Sequence, residues 1–96
     1  MLERKILEKD VEAALVKRVK SLGGIAYKFV SPSNRSVPDR ICLLPNGNII
    51  FAELKRPGAK PTENQLRNHE KIRNLGYAVM VIDSLEQVEV FPKEIP

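Results

Sequence analysis

The chain has 96 residues, a net charge of +4, 43% apolar and 5% aromatic residues, one cysteine and one histidine. That length holds one domain with a modest core and no separate cofactor domain, and the apolar share argues against disorder. Lone Cys42 and His69 exclude a disulfide framework and a zinc centre of Cys and His ligands, so a metal would need oxygen ligands.

The opening segment, MLERKILEKD, is charged and predicts neither a signal peptide nor a membrane span, which makes a cytoplasmic setting the expectation. Leu2, Ile6 and Leu7 can extend the first helix or pack loosely beside it. Residues 8–22 then read as a helix: Val11, Leu15, Val19 and Leu22 recur at helical spacing, and Gly23-Gly24 stops it. Residues 25–31, short and rich in β-branched and aromatic side chains, read as a strand, followed by the polar loop PSNRSVP. RICLL and NIIFAELK, residues 40–55, read as a hairpin turning at Asn46-Gly47. Thr62, with Gln65 at capping-box spacing, opens a second helix to about Leu75. YAVMVID, residues 77–83, reads as a strand buried on both faces. Ser84 caps a short helix to about Glu89, and the tail FPKEIP reads as irregular. The order α-β-β-β-α-β-α describes an α/β domain with a small mixed four-stranded sheet flanked by helices on both sides.

Asp39, Glu53 and Lys55 carry the chemistry in this pattern. Glu53 and Lys55 lie two apart on a strand and share a face, with the Leu54 carbonyl between them. Ile49 and Phe51 share that face, so the charges end an apolar row. Two carboxylates and a carbonyl are hard oxygen ligands suited to Mg²⁺, and a neighbouring lysine can stabilise charge on a phosphate. The register poses a problem. A two-residue loop at Asn46-Gly47 pairs Leu44 with Ile49 and Arg40 with Glu53, which turns Asp39 to the opposite face. Shared ligation then requires a bulge or bend near Asp39-Arg40.

VPDR, and FAELK with its Glu fourteen residues after the Asp, form the PD…ExK pattern of restriction-endonuclease-like nucleases. With EAALVKRVKSLGG upstream and the ELKRPG run and QLRNHEKIRNLGYAVMVID downstream, residues 12–83 resemble a stand-alone VRR-NUC domain, the virus-type replication-repair nuclease of the PD-(D/E)xK superfamily. The resemblance implies one nuclease domain over residues 1–96, with a restriction-endonuclease-like fold. It implies Asp39 and Glu53 as metal ligands, Lys55 as the catalytic lysine, Glu12 as the helical Glu that aids metal binding, and Gln65 as the Gln after the ExK strand. The loop departs from the family's Gly-x-Pro-Asp, having Ser36-Val37-Pro38-Asp39, which makes a positive-φ turn less easy.

Each residue also has a plainer role. Asp39 can be a turn residue, Gln65 a capping residue and Glu12 a first-turn acid favoured by the helix dipole, with Glu8 its competitor one turn earlier. His69 falls on the stripe of Leu66 and Ile72 and reads as a core histidine. Cys42 reads as a small core residue. Lys28, Arg35, Arg40, Arg56 and Lys60 are candidates for backbone-phosphate contacts or simply solvated charges. The resemblance implies a structure-selective DNA endonuclease that uses Mg²⁺ or Mn²⁺ to hydrolyse phosphodiester bonds in branched DNA such as four-way (Holliday) junctions. It also implies phage or prophage origin in a bacterial host and a homodimer. The competing readings are a non-catalytic nucleic-acid-binding module, an interaction subunit of a larger machine, and a sequence-specific restriction enzyme.

Overall fold

The structure, a computed structural model, describes residues 4–93. Leu2 and the last three residues of the tail lie outside the described residues. Helix α1 (Glu8–Ser21) buries Val11, Leu15 and Val19, a single stripe at every fourth residue. It ends where expected, the Leu22, Gly23 and Gly24 N–H groups turning back onto the carbonyls of the last turn. Gly24 is required by packing. A Cβ there would fall inside contact distance of the Leu43 carbonyl oxygen.

Four strands follow: β1 (Ile25–Lys28), β2 (Arg40–Leu44), β3 (Asn48–Leu54) and, after helix α2 (Glu63–Asn74), β4 (Ala78–Ile82). They form one mixed sheet in the order β1-β2-β3-β4. The first two pairings are antiparallel, and β4 joins β3 in parallel after the α2 crossover. Helix α3 (Leu85–Val90) is capped by Ser84, whose Oγ accepts from the Gln87 N–H, while the Gln87 side chain accepts from the Asp83 N–H.

One sheet face carries the core. Ala26, Cys42, Ala52, Leu54 and Ile82 pack with the α1 stripe, Val88 and Phe91. Each large apolar side chain removed from water there stabilises the fold by about 1.5–3 kcal/mol. Phe91 lies in a turn, as expected of the tail, yet is fully buried, and its carbonyl accepts from Arg18 Nε at 2.9 Å. Cys42 is a core residue whose thiol burial pushes up to about 11. On β4, Val79 and Ile82 are buried from opposite faces, although β4 is an edge strand.

The hairpin differs from expectation at its turn. Leu44 pairs with Asn48, not Ile49, across a three-residue connection, Pro45-Asn46-Gly47, in which Asn46 (φ 67°) and Gly47 (φ 76°) are left-handed. Proline is the physical reason. A two-residue turn would make Pro45 and Asn48 its closing pair, and Pro45 has no N–H to give. The register therefore shifts by one, Arg40 lies opposite Ala52, and one further step sets Asp39 opposite Glu53. The pairing from Arg40 to Leu44 is unbroken, with no bulge in it. Asp39 itself is a bend, but the parity change comes from the turn.

Candidate active site

Glu53 ends the face of β3 opposite the core. That face carries Ile49 and Phe51, the Phe51 ring lying tilted against Phe29 (centroids 5.7 Å apart) and edge-on to Tyr77 (5.9 Å). The Glu53 side chain is 2% exposed. Asp39, the residue just before β2, is held by two bonds. Its carbonyl accepts from the Phe29 N–H at 2.9 Å, and its Oδ2 accepts from the Leu54 N–H at 2.8 Å. In an extended strand the N–H and C=O of one residue point to the same edge, so the Leu54 carbonyl faces the edge where Asp39 sits. Pro38, fully buried, anchors the approach to Asp39. The Ser36 N–H donates to Asn34 Oδ1, and among the described non-glycine residues only Asn46 has a positive φ, so the loop needs no glycine at Ser36.

Lys55 Nζ lies 4.0 Å from Glu53 Oε2. Gln65 holds two positions at once. Its backbone and Oε1 complete the capping box with Thr62, while its Nε2 donates toward Glu53 Oε2 at 3.4 Å. His69, one helical turn on, is fully buried with Nε2 3.2 Å from Glu53 Oε1. Reading His69 as a core histidine captured its burial but missed this contact. Its spacing of four from Gln65 was the available signal, since residues i and i+4 share a helix face.

Burial, and then the adjoining Asp39 carboxyl, push Glu53 up to about 8, against the pull of Lys55. His69 is held below its usual range, first by burial and then by the nearby Arg73 charge. Both shifts are led by burial, so the centre is one where an uncompensated charge is costly. Among the described residues no three His, Cys, Asp or Glu side chains converge on a common point. The protein offers two carboxyls and a main-chain carbonyl, an oxygen set that fits a Mg²⁺ ion keeping several of its waters.

The helical glutamates divide differently from expectation. Glu12 Oε2 accepts from Arg40 Nε at 2.8 Å, and Arg40 Nη1 donates to the Ala26 carbonyl at 2.9 Å. Arg40, a candidate phosphate contact, is thus turned inward with its side chain 15% exposed. Glu8, exposed one turn earlier, is the helical carboxylate whose charge contributes to the upward shift on Glu53. Lys28, Arg35, Arg56 and Lys60 are exposed.

No protein-family model matches the chain. It is 53% identical over 89 residues to "Putative nuclease p44" of Acyrthosiphon pisum secondary endosymbiont phage 1, covering 93% of this chain and 96% of that protein. A solved structure described as a "VRR_NUC domain" superposes with a TM-score of 0.81 at 36% identity, covering 85% of this chain and 89% of that one. The fold matches in its mixed four-stranded sheet and in its α-β-β-β-α-β-α order. The chain belongs to the VRR-NUC family and is a nuclease-like domain of restriction-endonuclease-like fold.

Proposed function

We propose that the protein is a divalent-metal-dependent DNA endonuclease, selective for branched structures such as four-way junctions. The observation that supports this most is the meeting of the Asp39 and Glu53 carboxyls beside the end of β3, where burial first and then Asp39 hold a proton on Glu53. A divalent cation bound there would take the place of that proton. Asp39, Glu53 and the Leu54 carbonyl would hold Mg²⁺ or Mn²⁺. When bound, the ion would neutralise charge on the phosphoryl group and lower the pKa of its water.

The remaining work falls to the chain's own groups. Lys55 brings an ammonium to the same carboxylate edge, where it can stabilise charge on a phosphate oxygen. Gln65 and His69 grip Glu53 from two sides and fix its rotamer. Glu8 adds negative field at the open end of α1.

A homodimer fits the same reading, since a junction takes two cuts and a two-fold axis pairs two sites. The sheet face beyond Glu53 supports it. Ile25, Leu43 and Ile49 form one rung, and Tyr27, Ile41, Phe51 and Val79 the next. Ile25 (51% exposed), Tyr27 (55%) and nearby Tyr77 (48%) are open, and neither rung contains a charged residue. An uncharged apolar face suits a second protein surface, not a phosphate backbone. No helix among the described residues is long and apolar enough to cross a membrane.

The test is incubation with four-way, flap, duplex and single-stranded DNA in Mg²⁺, Mn²⁺ or chelator, beside Asp39→Ala and Lys55→Ala. Metal-dependent cutting that both variants lose is expected. Absence of cutting on every substrate overturns the reading, and retained DNA binding without cutting would favour a binding module. Light scattering of wild type and Tyr27→Lys checks the dimer.

A further inference from the structure

A polar cleft of about 250 Å³ is lined by Asn34, Ser36, Asn64, Arg67, Asn68 and Lys71. Two of these are cationic, the other four are neutral hydrogen-bonding residues, and no carboxylate among the described residues lines it. We infer that this cleft seats the sugar-phosphate of the cut strand next to the scissile phosphate, with Arg67 and Lys71 on phosphate oxygens and the asparagine amides on the nucleotide. The inference deepens the nuclease reading and rests on it.

Three features carry it. First, both walls lead to the site. Ser36 precedes Asp39 by three residues in the same loop. On α2, Asn64 and Asn68 each precede Gln65 and His69 by one residue, so the cleft row lies about 100° around the helix from the row that faces Glu53. The cleft is thus built on the same loop and the same helix that position Asp39 and Glu53, which would lead a strand held in it toward the carboxyls.

Second, Asn68 Oδ1 is buried without a hydrogen-bond partner. A buried polar atom left unpaired is costly, and a ligand can supply what the protein does not. Turned about its last bond, the same amide presents N–H groups to a phosphate oxygen; unturned, it accepts from a base amino group. A nucleotide offers both.

Third, the cations are available and the loop is set. Arg67 is tied to Asn64 Oδ1 (2.6 Å) and, more distantly, to exposed Glu63 (3.9 Å). An exposed pair of that kind is worth little and can be exchanged for a phosphate. The Ser36 N–H bond to Asn34 Oδ1 holds the opposite wall in shape before any ligand arrives.

The test compares two double variants that remove the same charge. Arg67→Ala/Lys71→Ala empties the cleft of cations. Lys17→Ala/Lys20→Ala removes two exposed lysines from α1. Affinity for a four-way junction and for single-stranded DNA is measured against salt, with Ca²⁺ in place of Mg²⁺. Loss of two phosphate contacts makes the slope of log K against log salt shallower by about two for the cleft variant, with about tenfold weaker binding or more. The α1 variant should move neither beyond the effect of net charge. Asn68→Ala should weaken binding without changing the slope. Identical behaviour of the two double variants, while wild type still cuts DNA, overturns the cleft alone. Failure of wild type to bind and cut overturns the nuclease reading, and the cleft with it. Thermal melting and Mn²⁺ titration of each variant confirm an intact fold and metal site.

Discussion

The His69 imidazole meets the Glu53 carboxyl at 3.2 Å inside the protein, with both side chains closed to solvent. A ring so placed governs which edge of Glu53 remains for a cation, because groups bonded behind a ligand set its orientation. His69→Leu should weaken Mn²⁺ binding by about 10–100-fold in calorimetry. His69→Gln, which keeps a hydrogen-bonding group, should restore much of it. Wild-type affinity in the leucine variant would show that the contact is packing alone.

The raised Glu53 pKa makes metal-free stability depend on pH. Between its ordinary value and about 8, the folded state keeps a proton that the unfolded state releases, so stability falls as pH rises through that window. His69 acts in the opposite sense. Held neutral in the fold, it costs stability as pH drops below about 6.5, where the unfolded ring charges. The interval from about pH 6.5 to 8 therefore isolates Glu53. Chemical denaturation should show stability declining across it, and Glu53→Gln should flatten the decline. Added Mg²⁺ should oppose it by binding the folded state. A flat wild-type profile would refute the assigned shift.

Pro45 can be tested by removing it. Deletion leaves Leu44 opposite Asn48 around Asn46-Gly47 as a two-residue turn, the arrangement such a pair favours. Asp39 and Glu53 should stay on one face, metal binding should persist, and melting should shift by only a few degrees. Loss of metal binding in a folded deletion variant would contradict the role given to the turn.

Glu8 and Glu12 should separate cleanly. Glu12→Ala strands Arg40, whose side chain is mostly buried, and should cost about 1–3 kcal/mol in denaturation, with metal affinity little changed. Glu8→Gln, on an exposed residue, should leave stability within about 0.5 kcal/mol and weaken Mn²⁺ binding. The reverse pattern would return the metal-site role to Glu12.

Local signals in the chain settled most of the fold. The α1 stripe, the Gly23-Gly24 stop, the Thr62–Gln65 and Ser84–Gln87 caps and the strand patterns each depend on side chains within a few residues of one another, and each element stands within a residue or two of its expected bounds, except β1, which ends three residues early. The residues Asp39, Glu53 and Lys55 were legible for the same reason, as a short motif on one hairpin. Whether Asp39 and Glu53 meet was not local. Strand parity reverses with a single residue, and it turned on the missing N–H of Pro45. How α2 sits on the sheet was also decided only in three dimensions. That docking brings His69 onto Glu53, leaves Asn68, Arg67 and Lys71 along a cleft, and pairs with an α1 that commits Glu12 to Arg40. The His69–Glu53 and Glu12–Arg40 contacts join residues 16 and 28 positions apart, and nothing in the periodicity of either segment encodes the angle at which they pack.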